Sequence, residues 1–312
     1  MFTNHLTSLD FNLWHAYFIY FSCIYPTIAL QANIGLLMLS STITAHLQRL
    51  TRHRFLSLVS RGNVAIETAL SFLPQHSRIL IPDEGGWLSY KSIPQRLGLA
   101  VEEVKCHEAR INVQSLREKF FAQRYAAFLY QNPGGYFAEQ PIAEIYDLCR
   151  KNSCLVIMDV SGAIGTELCK GNYADLLVGS FGRGKLVNAG VGGFISAKEK
   201  RVWGALVKNI IPFADQKTQA QIQQKLVQLP QRIQQLQELR SKVFEDLEKG
   251  KIEIVHRADV GFVVVARFAD ENEKKMIIDY CSSNHLEYTE CPRYIRLNQP
   301  AISIEVKRRE FW

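Results

Sequence analysis

The chain has 312 residues, 47% of them apolar and 21% charged, which describes a globular protein with apolar surface for a sizeable core and length for one large domain plus a smaller one. Its net charge of +7 favours anionic partners such as phosphates or nucleotides, but no basic run interleaved with aromatics, no zinc spacing and no RNP-like motif is present, so neither nucleic acid nor a metal is an expected partner. Seven scattered cysteines without a C-x-x-C pair suit a reducing cytosol, the expected location, and argue against a disulfide framework.

Residues 11–39 are rich in apolar and aromatic side chains and contain no Lys, Arg, Asp or Glu. About 20 apolar residues suffice for a membrane span. His15, Pro26, Gln31 and Asn33 interrupt this stretch, and no basic residues precede it as in a signal peptide. An arm buried between subunits is therefore favoured over membrane contact. Thr42–Leu50 reads as a short helix and Phe55–Val59 as a strand. Ser60-Arg61-Gly62-Asn63-Val64 then turns into a helix through Leu73. A strand, a glycine turn and a helix N-terminus make an anion site from free backbone N–H groups and the helix dipole. Ile79–Pro82 is the next short strand, followed by Asp83-Glu84-Gly85-Gly86-Trp87. Val101–Cys106 reads as a strand and Val113–Phe121 as a helix on the sheet. Ala126–Tyr130 is continuously apolar, as in a strand buried on both faces, and ends at Gln131-Asn132-Pro133-Gly134-Gly135-Tyr136. A helix follows over Pro141–Lys151, with Ile142, Ile145, Tyr146 and Cys149 on one face.

The stretch from Cys154 to Ser196 carries the chemistry. A buried strand, Leu155 to Met158, ends on a single acid, Asp159. A second run, Leu176 to Val178, leads into Ser180-Phe181-Gly182-Arg183-Gly184-Lys185, and a glycine cluster (Gly190, Gly192, Gly193) precedes a third strand at Phe194-Ile195. A lysine can form a Schiff base with an aldehyde cofactor. An acid can keep a pyridine nitrogen protonated, making the ring an electron sink, and a serine can donate to a phosphate.

On these residues the chain resembles the pyridoxal-phosphate enzymes of the aspartate-aminotransferase fold, fold type I. Within it, the chain resembles most the DegT/DnrJ/EryC1/StrS sugar aminotransferases. Their pattern of an acid, a small residue two positions on, then Ser-Phe-x-x-x-Lys and glycines is met by Asp159, Ser161, Ser180-Phe181, Lys185 and Gly190 to Gly193. The resemblance implies pyridoxal 5'-phosphate as cofactor, with Lys185 as its internal aldimine and as acid and base, and Asp159 on the ring nitrogen. It also implies Ser180, Gly62, Asn63 and Val64 around the phosphate, with Asn63 replacing the family's hydroxyl residue, Ser161 beside the cofactor, Trp87 stacked on the ring and Asn132 on the ring hydroxyl. The family's Gln or His close after Asp159 is absent.

Ala214–Glu248 has apolar residues at mostly helical spacings and reads as one long helix bent near Pro230, resembling the fold's connector between domains. The end reads as α+β: strands near Lys251–Val255 and Gly261–Phe268, a helix over Glu271–Asn284, then strands at Tyr294–Leu297 and Ala301–Val306. Arg296 sits where the resemblance places a carboxylate-binding arginine on a small-domain strand, and a bidentate arginine is the natural clamp for a carboxylate. Arg183 and Arg61 are next in line for that role. Lys307-Arg308-Arg309 reads as a solvated tail.

The expectation is an α/β protein. Residues 1–50 form an N-terminal arm, 51–205 a three-layer large domain on a mostly parallel sheet that binds the cofactor, and 206–312 a connector helix and a small α+β domain. The expected function is a pyridoxal-phosphate-dependent aminotransferase, homodimeric as the resemblance implies, working on a small-molecule amino donor and a keto acceptor, with keto sugars among the candidates. The alternatives are a lyase or decarboxylase on the same fold, or a non-catalytic or membrane-associated protein that has kept it.

Overall fold

Side chains alternate between the two faces of each strand, and that alternation sorts the large sheet's residues into two cores. The computed structural model describes residues 38–311. The apolar stretch 11–39 therefore lies, except for its last two residues, outside the described residues. The chain enters with helix α1 (38–51), followed by β1 (Phe55–Val59), α2 (Gly62–Ser71), β2 (Arg78–Pro82), α3 (Ser89–Arg96) and β3 (Ala100–Val104). A small hairpin, β4 (Cys106–His107) and β5 (Arg110–Ile111), leads to α4 (Val113–Ala122), β6 (Ala127–Gln131), α5 (Ile142–Lys151), β7 (Leu155–Asp159), β8 (Leu176–Ser180) and β9 (Gly193–Ala197). Seven of these strands form one sheet in the order β1-β9-β8-β7-β6-β2-β3. Within it β3, β2, β6, β7 and β8 run parallel, and β9 runs antiparallel to both its neighbours.

On β7, Val156 and Met158 enter the core shared with α1, α4 and α5. Ile157 faces the opposite core, with Ala65 and Ile66 of α2 and Tyr90 and Ile93 of α3. The result is three layers, helix–sheet–helix, as expected. Asp159, two residues past Ile157, falls on the α2/α3 face, and by the same alternation so does Ser180, two past Val178.

Helix α6 (Lys200–Leu206) precedes α7 (Gln216–Lys249), a helix of 34 residues. Asp215 caps α7 by accepting from the Lys217 and Thr218 amides. The helix continues through Pro230. Beyond it lie β10 (Val264–Ala266), α8 (Glu271–Ser283), β11 (Tyr288–Cys291) and β12 (Ala301–Ile304). They form a three-stranded antiparallel sheet, β10-β12-β11.

Three readings of this region are corrected. Residues 251–255 make only an isolated bridge at Ile254 with Ala266. The strand expected at Tyr294–Leu297 is a turn, and the strand pairing with β12 is Tyr288–Cys291. Lys307-Arg308-Arg309 is not a solvated tail: Lys307 is 4% exposed and its amide donates to the Phe262 carbonyl at 2.9 Å. β12 is the central strand of the small sheet, and the residues that follow it are carried against the Phe262 segment. Helices α3 and α6 and the β4–β5 hairpin lack a readable pattern, and Pro94 inside α3 masks its periodicity. Among the described residues no helix is long and apolar enough to cross a membrane.

The two sheets are stitched together at the loop after β2. The Glu84 carboxylate, buried, accepts from the Ala109 amide at 2.8 Å and the Asn298 amide at 2.7 Å. Gly85 donates to the Tyr294 carbonyl at 2.8 Å and accepts from the Gly135 amide at 2.7 Å. This fixes the loop that presents Trp87.

Candidate active site

Parallel strands deliver their C-terminal ends to one edge, where ligand crevices form. Asp159 pairs in register with Val178, so Ser180 reaches two residues further along β8. Helix α2 begins beside them. A Cβ on Gly62 would lie 2.7 Å from the Ser180 Cβ, and one on Gly193 would lie 2.6 Å from the Gly179 carbonyl oxygen. Only glycine permits this approach, which brings the first turn of α2 against the end of β8. The first amides of a helix have no intrahelical acceptor, so Gly62, Asn63 and Val64 present donors at this edge. A cavity of about 310 Å³ opens there, lined among others by Arg61, Gly62, Asn63, Trp87, Tyr136, Asp159, Ser161, Ser180 and Lys185.

Asp159 is 6% exposed and its two oxygens are separately held. Oδ1 accepts from the Ser161 amide at 2.8 Å, and Oδ2 accepts from the Tyr90 hydroxyl at 3.0 Å. Burial, then the negative charge of Asp159, push the Tyr90 hydroxyl well above its ordinary range, so it stays a proton donor to the carboxylate. The Ser161 Oγ accepts from the Ser180 amide at 3.0 Å, tying β8 to the turn after β7. Ser180 Oγ in turn accepts from the Gly182 amide at 3.2 Å.

Lys185 is 9% exposed and sits between two aromatic rings. Its Nζ is 4.5 Å from the Trp87 ring centroid and 4.7 Å from that of Tyr136, and it donates to the Tyr136 hydroxyl. Trp87 is anchored by its indole N–H, which donates to Asn63 Oδ1 at 3.3 Å, while Ser89 Oγ donates to the same oxygen at 3.1 Å. Asn63 thus orients the indole ring that faces Lys185.

The structure brings Gly62, Asn63, Trp87, Asp159, Ser161, Ser180 and Lys185 to this cavity, and Val64 sits in the adjoining first turn of α2. It does not bring Asn132. That side chain donates to the Leu168 carbonyl at 2.9 Å and accepts from the Gln140 amide at 3.1 Å, so both ends of its amide hold the loop and neither faces the cavity. Tyr136, four residues on, is what this loop contributes. Arg296 lies on the turn between β11 and β12. Its Nε donates to Glu305 Oε1 at 3.2 Å, its Nη2 donates to the same oxygen, and its Nη1 donates to the Ile295 carbonyl at 2.7 Å. Most of the fork that would clamp a carboxylate is already engaged. The sequence reading missed Tyr90 and Tyr136. Tyr136 closes the Asn-Pro-Gly-Gly motif and was open to detection as a second aromatic near a lysine. Nothing in the sequence links Tyr90 to Asp159.

No family model matches the chain, and no curated protein matches it in sequence. Solved structures do match. An alanine–glyoxylate aminotransferase from Nostoc sp. superimposes with a TM-score of 0.69 at 14% identity, covering 89% of this chain and 86% of that one. The chain has the fold type I architecture. A Helicobacter pylori aminotransferase involved in the biosynthesis of pseudoaminic acid matches this fold at a TM-score of 0.68, 13% identity and 88% and 90% coverage. A serine palmitoyltransferase from S. paucimobilis matches at 0.66, 14% identity and 84% and 70% coverage.

Proposed function

We propose that this fold type I chain is a pyridoxal-phosphate-dependent aminotransferase. The observation that carries the reading is the convergence, in one cavity, of a buried lysine, a strand-end carboxylate and a glycine-collared helix N-terminus. Each part fits one part of the cofactor. The Gly62–Val64 amides and the Ser180 hydroxyl suit a phosphate, Asp159 suits a protonated ring nitrogen, and Lys185 suits an aldehyde. When bound, pyridoxal phosphate supplies that aldehyde and a ring that withdraws electrons from a substrate α-carbon.

The chain's own residues do the rest. Lys185 anchors the cofactor through its amine and, once displaced by a donor amine, moves a proton at the substrate α-carbon as base and then acid. Tyr136 holds the lysine nitrogen through its hydroxyl and fixes the direction from which it returns. The Tyr90 hydroxyl and the Ser161 amide, each donating to one oxygen, hold the Asp159 carboxylate in place. Trp87, oriented by Asn63, covers the ring and limits water access.

The amino acceptor belongs to the finer part of this proposal. The Ser180-Phe181 and Lys185 pattern, together with the likeness to the H. pylori protein, supports the sugar aminotransferase branch. The same reading includes a homodimer.

Borohydride reduction of protein loaded with pyridoxal phosphate tests the central claim. The reduced cofactor should be found on Lys185 by peptide mass mapping, and Lys185→Ala should lose the label. Label on a different lysine, or none on well-folded protein, removes the reading.

A further inference from the structure

Lys185 stands on a loop that runs from Phe181 to Ala189. The loop is closed at its base, where the Ala189 amide donates to the Phe181 carbonyl at 2.9 Å, and it turns at its tip, where the Lys185 amide donates to the Gly182 carbonyl at 3.2 Å. Phe181, Leu186 and Val187 are buried and anchor its two arms. The tip, Gly182-Arg183-Gly184, has no apolar side chain to anchor it. Gly184, next to the lysine, sits at φ +72°, a conformation that glycine enters and leaves with equal ease. The lysine works only if its nitrogen returns to one place, and a displacement of about 1 Å can cost roughly a hundredfold in rate. The tip therefore needs a hold from outside the loop.

The segment after β12 supplies it. Lys307 shares the buried Glu305 carboxylate with Arg296 and Arg308, and its Nζ also donates to the Gly184 carbonyl at 3.3 Å. Arg308 lies against the same glycine, where a Cβ would stand 3.1 Å from its Cγ. Glu310 takes the other side of the loop: its Oε1 accepts from the Asn188 side-chain amide at 2.5 Å. The segment is in turn fastened by Arg232 of α7. Arg232 Nη1 donates to the Arg309 carbonyl at 3.1 Å and to Glu310 Oε2 at 3.3 Å, and Nη2 donates to the Lys307 carbonyl at 3.0 Å. The Arg232 side chain is 11% exposed and that of Glu310 26%, so solvent screens this pair only in part. The Glu310 carboxylate thus has one oxygen on the loop that carries Lys185 and the other on the long helix.

We propose that Glu310 is a positioning residue for Lys185: clamped by Arg232, it holds Asn188 and so fixes the loop from which the lysine reaches the cofactor. The proposal rests on the reading of the cavity at the start of α2 as the cofactor site. It makes a demand that a general loss of structure would not. The phosphate end of that cavity is built by α2 and β8, which Glu310 does not touch. Losing Glu310 should let the lysine's backbone drift while the phosphate end stays as it is. The reaction of Lys185 should slow, and binding through the phosphate should not weaken.

Two measurements on the full-length protein test this. In hydrogen–deuterium exchange without cofactor, the Lys185 and Ala189 amides should exchange roughly tenfold faster in Glu310→Ala, with the amides of β7 unchanged. Stopped-flow absorbance follows the capture of pyridoxal phosphate, in which the Lys185 amine replaces the aldehyde oxygen and water leaves. Capture should slow about tenfold in Glu310→Ala, whereas pyridoxine 5'-phosphate, which has no aldehyde, should bind with native affinity. Asn188→Asp sets two carboxylates against each other and should behave like Glu310→Ala. Adding Glu310→Gln to it restores a donor and an acceptor with their roles exchanged, and should bring both rates back to within about threefold of the native ones. Native exchange or native capture in Glu310→Ala overturns the proposal. So does a parallel loss of pyridoxine phosphate binding, which marks a merely structural residue, and so does failure of the exchanged pair to recover. If exchange follows the expected pattern but neither phosphate compound binds, the hold on the loop stands and the proposed function falls.

Discussion

Replacing Glu305 with glutamine removes the one carboxylate that Arg296, Lys307 and Arg308 share. Glu305 is 1% exposed, and its Oε1 also accepts from the Thr289 hydroxyl at 2.8 Å. Glutamine keeps the shape and can keep the Thr289 bond, so the change isolates the charge. The three cations respond differently. Arg308 is a third exposed and retains Glu287, so it loses little. Burial brings Lys307 down to about 7, so it escapes at pH 7 by giving up its proton. Arg296 is 1% exposed and cannot deprotonate, so it is left as an uncompensated buried charge. Stranding one such charge costs about 3–5 kcal/mol, or a fall in melting temperature of roughly 6–15 °C. The pH dependence has a definite sign. Burial alone would raise the Glu305 carboxyl, but Arg296, Lys307 and Arg308 outweigh it and hold the group far below its ordinary value of 4.5. Its stabilisation is therefore complete above that value and is lost as pH falls toward the lowered one. Melting curves of the native chain and of Glu305→Gln should differ by their full amount from neutrality down to about pH 4.5 and draw together only as pH falls below that, toward the lowered value. A variant that melts within about 2 °C of the native chain at pH 7 would refute this account of the buried cluster.

Tyr90→Phe removes the donor to Asp159 Oδ2 and should cost about 1.5–3 kcal/mol by denaturant titration, because the acceptor is charged and buried; an unshifted midpoint would show that water replaces the hydroxyl. Gly62→Ala puts a Cβ 2.7 Å from that of Ser180 and should weaken pyridoxal phosphate binding by about tenfold or more, ~1.4 kcal/mol, with the fold retained. Native affinity in that variant, measured by equilibrium dialysis, would mean that the collar yields and that the first turn of α2 does not hold the phosphate.

The sequence by itself determined the layers of the large sheet and the carriers of its chemistry. Leu155–Met158 and Ala126–Tyr130 are apolar without alternation, which only a strand covered on both faces permits, and each ends on a polar residue delivered to the same edge. Asp159, Ser180 and Lys185 follow one another within a short stretch, so their order and spacing were enough to find them. Periodicity also marked the long helix at 216–249, because a surface helix shows its apolar stripe wherever it packs. Tertiary structure decided what depends on pairings distant in sequence. Tyr90 meets Asp159 across 69 residues, on a helix whose pattern Pro94 obscures. Asn132 has the right motif, yet its amide is used by Leu168 and Gln140. Arg296 has the right chemistry, yet Glu305 occupies its fork. Lys307 stands in a run of basic residues that reads as solvated, and it is buried because β12 carries it under the Phe262 loop. A side chain's type is local information, but whether its hydrogen-bonding capacity is free depends on which distant groups the fold sets beside it.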